Sequence, residues 1–301
     1  MRLCNWVGEV VLGVPTLKRL AAAGYELHLV GKGWAGALLE GEGWTVTTRR
    51  AGVWQASRQL AEVRRGLPLG PHKPAALLLT KSFSSALEAR LGGWRPVGYA
   101  HDGRGVLLTT AYPLPEFSHA SHAYWHLASC VLGAAAPYPT AATLTPSATQ
   151  AARASALLAE RSLVAGSFVV LCPFSGPDDH GQRKVWPEFA ALGRRLSGRG
   201  IVSVVCPGPG EEAAAAERLP DLLRLPGLDL GVYGALMARA RAVVANDTGP
   251  GHLAAAVGAR LIAIYGRQSV AAWTPLGSQV ELLHETSGWP TLERVAAAVL
   301  G

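Results

Sequence analysis

A polar turn between an apolar strand and a helix carries the most informative chemistry of this sequence. The apolar run Ala242–Ala245 predicts a strand that leads into Asn246-Asp247-Thr248-Gly249, and a helix is predicted over His252–Val257. Amides near the start of this helix, with the Thr248 hydroxyl and the His252 ring N–H, favour an anion such as a diphosphate. Asp247 suits a ribose hydroxyl or a backbone cap better than a phosphate. An ordinary capped turn between strand and helix stays open as an alternative.

A second polar segment follows the letters FVVLCP, which predict a buried strand. Its Ser175 offers a hydroxyl for a phosphate oxygen, and its Lys184 offers positive charge for a leaving diphosphate. Composition alone favours a solvated surface loop over such a site. The types of Asp178, Asp179 and His180 suit metal ligands, but three adjacent residues of one flexible loop are poorly preorganised, so we expect no metal site.

A carboxylate lies close to the start of the chain, where Gly8-Glu9 follows the first apolar segment. The carboxyl end of a strand is where α/β sheets place their sites, so Glu9 is a candidate general base. The alternative is that Glu9 only favours the N-terminus of the following helix electrostatically. This stretch does not have the pattern G-x-G-x-x-G, and no P-loop occurs in the sequence, so neither a dinucleotide nor an ATPase fingerprint marks this turn.

The composition fits a folded protein with anionic partners. The 301 residues are 49% hydrophobic and 16% charged, which excludes a mainly disordered chain and suggests about two domains. The net charge of +7 favours phosphates, acidic lipid or nucleic acid as partners. No nucleic-acid motif is visible, and we expect no nucleic-acid partner. Four widely spaced cysteines and no visible secretory signal predict a cytoplasmic protein with reduced thiols.

Apolar runs and helical spacing alternate along the chain in two series, as in parallel α/β sheets. The first series opens with a short strand over Leu3–Val7 and a helix from Val10, which Gly24 ends. The stretch Ala134–Pro146 is rich in Ala, Pro and Thr and fits neither period, so we interpret it as a linker. A second series follows it. The expected fold is α/β, with two doubly wound parallel-sheet domains that face a cleft.

Several of these segments resemble, in the expected order, the motifs of glycosyltransferase family 9, the ADP-heptose:lipopolysaccharide heptosyltransferases. One is Asp247-Thr-Gly-x-x-His252, followed by a small-residue helix, a strand and Tyr265-Gly266. The others are Trp6-Val-Gly-Glu-Val-Val, Lys81-Ser-Phe-Ser-Ser-Ala-Leu87, Gly98-Tyr99 with Gly103-Arg104-Gly105, and Lys184-Val-Trp-Pro187. The ordered set covers most of the chain, which makes it more specific than any one segment.

This resemblance implies a GT-B fold of two Rossmann-like domains, with the acceptor on residues 1–145 and the nucleotide-sugar on residues 146–301. The residues implied at the donor site are Ser175, Lys184, Glu211 or Glu212, Asp247, Thr248, Gly249 and His252. Lys184 would hold the diphosphate, and the start of the helix near His252 would complete the cradle with Thr248 and Gly249. Asp247 would lie beside the nucleotide, and Ser175 would contact phosphate or nucleoside. Either Glu211 or Glu212 would reach the ribose, and the sequence does not choose between them.

The resemblance also implies a reaction. The family usually has an Asp after the first Gly of its opening motif, and Glu9 stands at that position here. Glu9 would then be the base of an inverting, metal-independent transfer of a heptose from ADP-heptose to the inner core of lipopolysaccharide, with no cofactor. The protein would be cytoplasmic, with peripheral contact at the inner face of the inner membrane. The alternatives are a nucleotide-sugar epimerase or hydrolase of the same architecture, and a non-catalytic nucleotide-sugar-binding protein.

Overall fold

The computed structural model describes residues 1–67, 74–175, 185–266 and 272–301. They form two compact units, the first of Met1–Leu39 and Gly43–Pro139, the second of Glu40–Glu42 and Thr140–Gly301. The division falls within the stretch interpreted as a linker, which contains no helix or strand from residue 134 to 146. The acceptor and donor roles assigned to residues 1–145 and 146–301 stay predictions.

Helices and parallel strands alternate in the first unit. Its helices are α1 (Val7–Ala22), α2 (Ala35–Leu39), α3 (Val53–Gly66), α4 (Phe83–Leu91) and α5 (Ala120–Leu132). Its strands are β1 (His28–Gly31), β2 (Thr45–Thr48), β3 (Ala75–Leu77), β4 (Arg95–Ala100) and β5 (Thr110–Pro113). A short 3₁₀ turn, Arg104–Leu107, follows β4.

The start of the chain joins the strands of this unit into one sheet. Strands β1 and β2 pair in parallel, as do β3, β4 and β5. Between them, Arg2 forms parallel bridges to Val30 and Leu78, and its N–H donates to the Leu77 carbonyl at 2.9 Å. The Val30 N–H donates to the Met1 carbonyl at 2.8 Å. If the segment around Arg2 is counted as a strand, the order is β2, β1, the Arg2 segment, β3, β4, β5. This is the strand order of a doubly wound sheet.

The first predicted elements begin and end earlier than expected. The strand predicted over Leu3–Val7 is reduced to the bridge at Arg2, and the helix predicted from Val10 already begins at Val7. Trp6, at the N-cap, has extended backbone (φ −113°, ψ 144°), so the chain turns into the helix at that residue. Glu9 therefore lies inside the first turn of α1 and not in a turn before it.

The second unit repeats this alternation. Its helices are α6 (Ala148–Glu160), α7 (Phe189–Ser197), α8 (Glu212–Arg218), α9 (Leu230–Met237), α10 (Gly249–Ala256) and α11 (Leu292–Leu300). Its strands are β6 (Phe168–Cys172), β7 (Val202–Val205), β8 (Leu223–Arg224), β9 (Ala242–Asn246), β10 (Leu261–Tyr265) and β11 (Val280–His284).

All strands of the second unit are parallel, in the order β8, β7, β6, β9, β10, β11. Every residue of β6, β9 and β10 is buried, as expected for central strands covered by helices on both faces. The strand order reverses between β6 and β9. In sheets of this kind the loops that follow those two strands diverge there and leave a crevice for a ligand. The doubly wound α/β fold expected from the sequence is therefore confirmed.

Four elements are missing from the sequence interpretation, namely α2, β5, α6 and β11. Helix α6 directly follows the predicted linker and is held by a capping box of Ser147 and Gln150. Strand β11 is an edge strand with mixed exposure, so it lacks a clear apolar run. Helix α10 begins at Gly249 and not at His252, because Pro250 fits the first helical turn and does not end the helix before it.

Candidate active site

A buried amide ties together the loops at the carboxyl edge of the second sheet. Asn246, the last residue of β9, is 1% exposed. Its Oδ1 accepts the Trp186 N–H at 2.9 Å, and its Nδ2 donates to the Pro173 carbonyl at 3.1 Å and the Cys172 carbonyl at 3.4 Å. The loop after β6 and the segment before α7 are thus fixed against the end of β9.

Two buried hydroxyl groups of these loops lack hydrogen-bond partners. The side-chain oxygens of Ser175, after β6, and of Thr248, after β9, are each inaccessible to solvent and bond to no described residue. Thr248 is the N-cap of α10, yet it makes no side-chain cap hydrogen bond. An unsatisfied buried polar atom costs about 1–3 kcal/mol, and a polar ligand at this sheet edge would satisfy both hydroxyls.

The start of α10 lies close to the sheet behind this edge. A methyl group on Gly251 would meet the Asn246 carbonyl and the Ala245 side chain at 3.4 Å, an ordinary van der Waals distance, so the first turn packs directly on the end of β9. The first turn of a helix presents amide groups and a positive dipole end, which favour an anion. Gly249 begins the helix as its N1 residue, and the predicted contact His252 is buried, at 4% exposure, one turn into it.

Asp247 follows β9 directly and is half-buried. It lies near Tyr265, at the end of the neighbouring strand β10, where burial first and the Asp247 charge second raise the pKa of the phenol. The carboxylate is therefore at the carboxyl edge, on the side of β10. This position is compatible with the predicted place beside a nucleotide, which stays a prediction.

The structure distinguishes the two candidate ribose contacts. Glu211 is half-buried, and its Oε2 accepts the Gly208 N–H at 2.8 Å in the turn after β7. Its charge contributes to raising the pKa of the Cys172 thiol, at the end of β6, although burial is the main cause. Glu212 is exposed, and its Oε2 accepts the Gly210 N–H at 2.8 Å. Glu211 therefore lies near the carboxyl end of β6, and Glu212 lies on the surface.

Some of the predicted residues lie outside the described ranges. These residues are Lys184, Asp178, Asp179 and His180. Trp186, two positions after Lys184, is 1% exposed, and its indole N–H donates to the Pro290 carbonyl at 2.8 Å. Within residues 1–67, 74–175, 185–266 and 272–301, no three His, Cys, Asp or Glu side chains are placed to hold a metal ion.

In the first unit, Glu9 is the third residue of α1, half-buried at the carboxyl edge of the sheet. Its carboxylate accepts the backbone N–H groups of Asn5 and Trp6, and the Tyr124 hydroxyl of α5 donates to its Oε1 at 3.4 Å. Burial raises the pKa of Glu9, and these hydrogen bonds and the positive charge of exposed Lys81 offset part of that rise. A carboxylate with a raised pKa is a better general base near neutral pH.

A fully buried guanidinium supports the loop that carries Lys81. Arg104 donates through Nε to the Tyr99 carbonyl at 2.8 Å and through Nη1 to the Thr80 carbonyl at 2.6 Å and the Ser82 carbonyl at 3.4 Å. A methyl group on Gly98 would lie 2.9 Å from Arg104 Nη2, so glycine leaves the space that the guanidinium fills. The segments Lys81–Leu87 and Gly98–Gly105, which both belong to the motifs quoted above, are thus joined by Arg104 at this edge.

Large apolar side chains are exposed along the same edge of the first unit. They are Trp6 (73% exposed), Trp54 (73%), Phe83 (46%) and Val106 (84%). Trp6 follows the bridge at Arg2, and the other three follow β2, β3 and β4 in that order. The exposed cations Lys32 and Lys81 follow β1 and β3. In the part of the chain that the structure describes, no helix is both long and apolar enough to cross a lipid bilayer.

Sequence reasoning did not identify Tyr124, Asn246 or Lys81 as members of these sites. Tyr124 and Glu9 are separated by 115 residues, and no local pattern pairs them. The weak signal is a tyrosine on the buried face of a predicted helix, since its hydroxyl needs a partner. For Asn246 the signal is an amide that ends a wholly apolar strand, where buried polar groups are nearly always bonded.

Comparisons with known proteins match this chain to one family model and to several solved structures of similar fold. Residues 74–298 match the model of glycosyltransferase family 9 (heptosyltransferase). The fold resembles that of E. coli ADP-heptose lps heptosyltransferase II, with 22% identity and a TM-score of 0.78 over 99% of this chain and 97% of the other. It also resembles E. coli heptosyltransferase WaaC with ADP, with 20% identity and a TM-score of 0.75 over 100% of this chain and 99% of the other. A family 9 glycosyl transferase from Veillonella parvula matches over 94% and 84% (18% identity, TM-score 0.79). No curated protein matches the chain.

Proposed function

Since the chain belongs to glycosyltransferase family 9, we propose that it transfers a heptose from ADP-heptose to the inner core of lipopolysaccharide. The proposed transfer inverts the anomeric carbon and needs no metal ion or cofactor. The family makes the protein a glycosyltransferase; the donor, the acceptor and the mechanism are the parts proposed here. Structures of similar fold were solved with ADP and with ADP-2-deoxy-2-fluoro heptose, which favours an ADP-sugar donor.

The observation that carries the proposal is the pair of buried hydroxyls of Ser175 and Thr248, which follow β6 and β9 and bond to no residue that the structure describes. A diphosphate has several acceptor oxygens, and two hydroxyls beside a helix N-terminus would satisfy it. Glu211, near the carboxyl end of β6, is the proposed ribose contact, and Asp247 would lie beside the nucleotide. Lys184 remains the proposed cation for the diphosphate.

The departure of ADP needs stabilisation of negative charge on the diphosphate. As the bond between the anomeric carbon and the diphosphate oxygen breaks, its electron pair stays on that oxygen. The positive end of the α10 dipole, hydrogen bonds from Ser175 and Thr248, and the charge of Lys184 would all become stronger at that moment. These groups would stabilise the negative charge of the diphosphate, as a divalent cation does in other phosphate chemistry.

The acceptor needs a base because a sugar hydroxyl is a weak nucleophile. In the proposed step the Glu9 carboxylate takes the hydroxyl proton while the oxygen attacks the anomeric carbon from the face opposite the diphosphate. One O–H bond and one C–O bond break, and one O–H bond and one C–O bond form. The backbone N–H groups of Asn5 and Trp6 hold the carboxylate through this change.

We propose the exposed edge of the first unit as the acceptor side. Lys32 and Lys81 would receive anionic groups of the acceptor, and Trp6 and Trp54 suit the boundary between water and lipid. This combination favours peripheral contact with an anionic membrane surface, as expected for an acceptor anchored in a membrane.

The test is ADP release from ADP-heptose, with and without a deacylated lipopolysaccharide inner-core acceptor, in excess EDTA. Release that depends on the acceptor and persists in EDTA supports the transfer. Release without acceptor indicates a hydrolase, and loss of activity in EDTA contradicts metal independence. ADP binding without any release indicates a nucleotide-sugar-binding protein without transferase activity on this acceptor.

The variant Glu9→Gln separates catalysis from binding. It keeps the shape of the side chain but cannot accept the proton, so transfer should fall by about 10²–10⁴-fold while ADP affinity stays unchanged. The matched control is Glu26→Gln, since Glu26 is exposed, precedes β1 at the opposite edge of the sheet and contacts the His28 ring. Wild-type turnover by Glu9→Gln contradicts the assignment of the base.

A further inference from the structure

We propose that Tyr124 is the positioning residue for Glu9: its hydroxyl holds one carboxylate oxygen and leaves the other for the acceptor proton. This inference rests on the proposed function. Tyr124 does not touch substrate in this proposal. It acts through Glu9, by fixing where the carboxylate points and by favouring its ionised form.

The geometry places the Tyr124 hydroxyl between two groups of the same segment. Tyr124 is 5% exposed on α5, which packs along α1. Its hydroxyl donates to Glu9 Oε1 at 3.4 Å and accepts from the Cys4 thiol at 3.5 Å. The hydrogen bonds form a directed chain from thiol to phenol to carboxylate. A buried tyrosine hydroxyl needs such partners, and both partners lie within residues 4–9.

The thiol and the phenol next to Glu9 stay protonated near neutral pH. Burial raises the pKa of Cys4 to about 12 and that of Tyr124 well above its usual value near 10, so both keep their protons. Lys81, after β3, is the cation that faces Glu9. The thiol and the phenol therefore remain hydrogen-bond donors near neutral pH.

This arrangement offsets the flexibility of the Glu9 side chain. A glutamate has several rotamers, and holding one of them costs conformational entropy. The Tyr124 hydroxyl and the amides of Asn5 and Trp6 fix the carboxylate from two sides before the acceptor arrives. Preorganisation of this kind lowers the barrier because the base needs no reorientation in the transition state.

The decisive measurement is the titration of Glu9 itself, which requires no turnover. Glutamate labelled with ¹³C at the side-chain carboxyl reports each carboxyl by NMR, and the signal missing in Glu9→Gln identifies Glu9. In Tyr124→Phe the lost donor should raise the Glu9 titration midpoint by about one pH unit. The matched control is Tyr112→Phe, whose lost hydroxyl also bonds to α5, at the Cys130 carbonyl 3.2 Å away. An unchanged Glu9 midpoint in Tyr124→Phe overturns the inference.

Kinetics provides the second readout. In Tyr124→Phe the acidic limb of kcat/KM against pH should move upward by about one unit, and KM for ADP-heptose should not change. A rate that falls equally at every pH, with no movement of the limb, would mean a merely structural role and overturn the inference. If the wild type transfers no heptose but the NMR midpoint still moves, the proposed function fails and the positioning contact stands.

Discussion

The buried amide of Asn246 allows a sharp test of how the second unit is held together. Replacement by aspartate keeps the shape and keeps an acceptor for the Trp186 N–H. It replaces the donor Nδ2 with an oxygen that faces the Pro173 carbonyl at 3.1 Å and the Cys172 carbonyl at 3.4 Å. An attraction becomes a repulsion without any change in volume.

The expected cost follows from these contacts. Two lost hydrogen bonds remove about 2 kcal/mol, and a buried carboxylate facing carbonyl oxygens adds a further ~2–3 kcal/mol. The free energy of unfolding of Asn246→Asp at pH 8 should thus be roughly 4–5 kcal/mol below that of the wild type. A protonated carboxyl donates to Pro173 instead, so the folded-state pKa of the new side chain lies above the unfolded value near ~3.9.

The sign of the pH dependence follows from that raised pKa. The penalty is smallest below the unfolded pKa, grows by about 1.4 kcal/mol per pH unit above it, and levels off above the folded pKa. The variant should therefore recover part of its lost stability between pH 8 and pH 5, measured against the wild type at each pH. The assay is urea unfolding followed by circular dichroism.

The matched control is Asn5→Asp, which makes the same chemical change beside a positively charged group instead of beside carbonyl oxygens. The Asn5 Oδ1 accepts from Arg2 Nη2 at 2.7 Å, so a negative charge is favoured there and stability should change by less than about 0.5 kcal/mol. If Asn246→Asp is as stable as Asn5→Asp at pH 8, or if its loss does not vary with pH, the bonding assigned to the amide is wrong.

Two further predictions concern ligand binding by the second unit and membrane contact by the first. Thr248→Val should weaken ADP binding about tenfold in calorimetry but not lower stability, because the hydroxyl makes no cap hydrogen bond in the free protein; a stability loss with unchanged affinity would contradict the ligand role. Trp54→Ser should reduce sedimentation with vesicles of anionic lipid severalfold, while the control Trp273→Ser, which is 41% exposed in the second unit, should not. Equal binding of both variants would remove Trp54 from the membrane contact.

The elements that could be predicted from the sequence are those with an unambiguous pattern. The strands FVVLC and LIAIY are apolar at every position, and the last helix, Leu292–Leu300, has a clear amphipathic period. Helix α6 was hidden because its alanines give a weak apolar face beside a segment rich in Ala, Pro and Thr. The spacing of Ser147 and Gln150 was the available signal for its start.

The site could be predicted in part, because chemistry near strand ends is local in sequence. Thr248, Gly249 and Ser175 lie within three residues of the ends of their strands, and the doubly wound topology brings those strand ends together. The contact of Tyr124 with Glu9 spans 115 residues and depends on how α5 packs against α1, which no local pattern specifies. The start of α1 at Val7 was missed because Gly8 indicated a turn.

The buried Arg104 limits the order in which this sequence can evolve. Its guanidinium occupies space that exists only because residue 98 has no side chain, and it carries a charge at every physiological pH. A lineage that first gained a side chain at position 98 would displace the cation from its carbonyl partners. A lineage that first lost the cation would leave those carbonyls unpaired around an empty volume. Homologues should therefore keep Gly98 and Arg104 together or have replaced both.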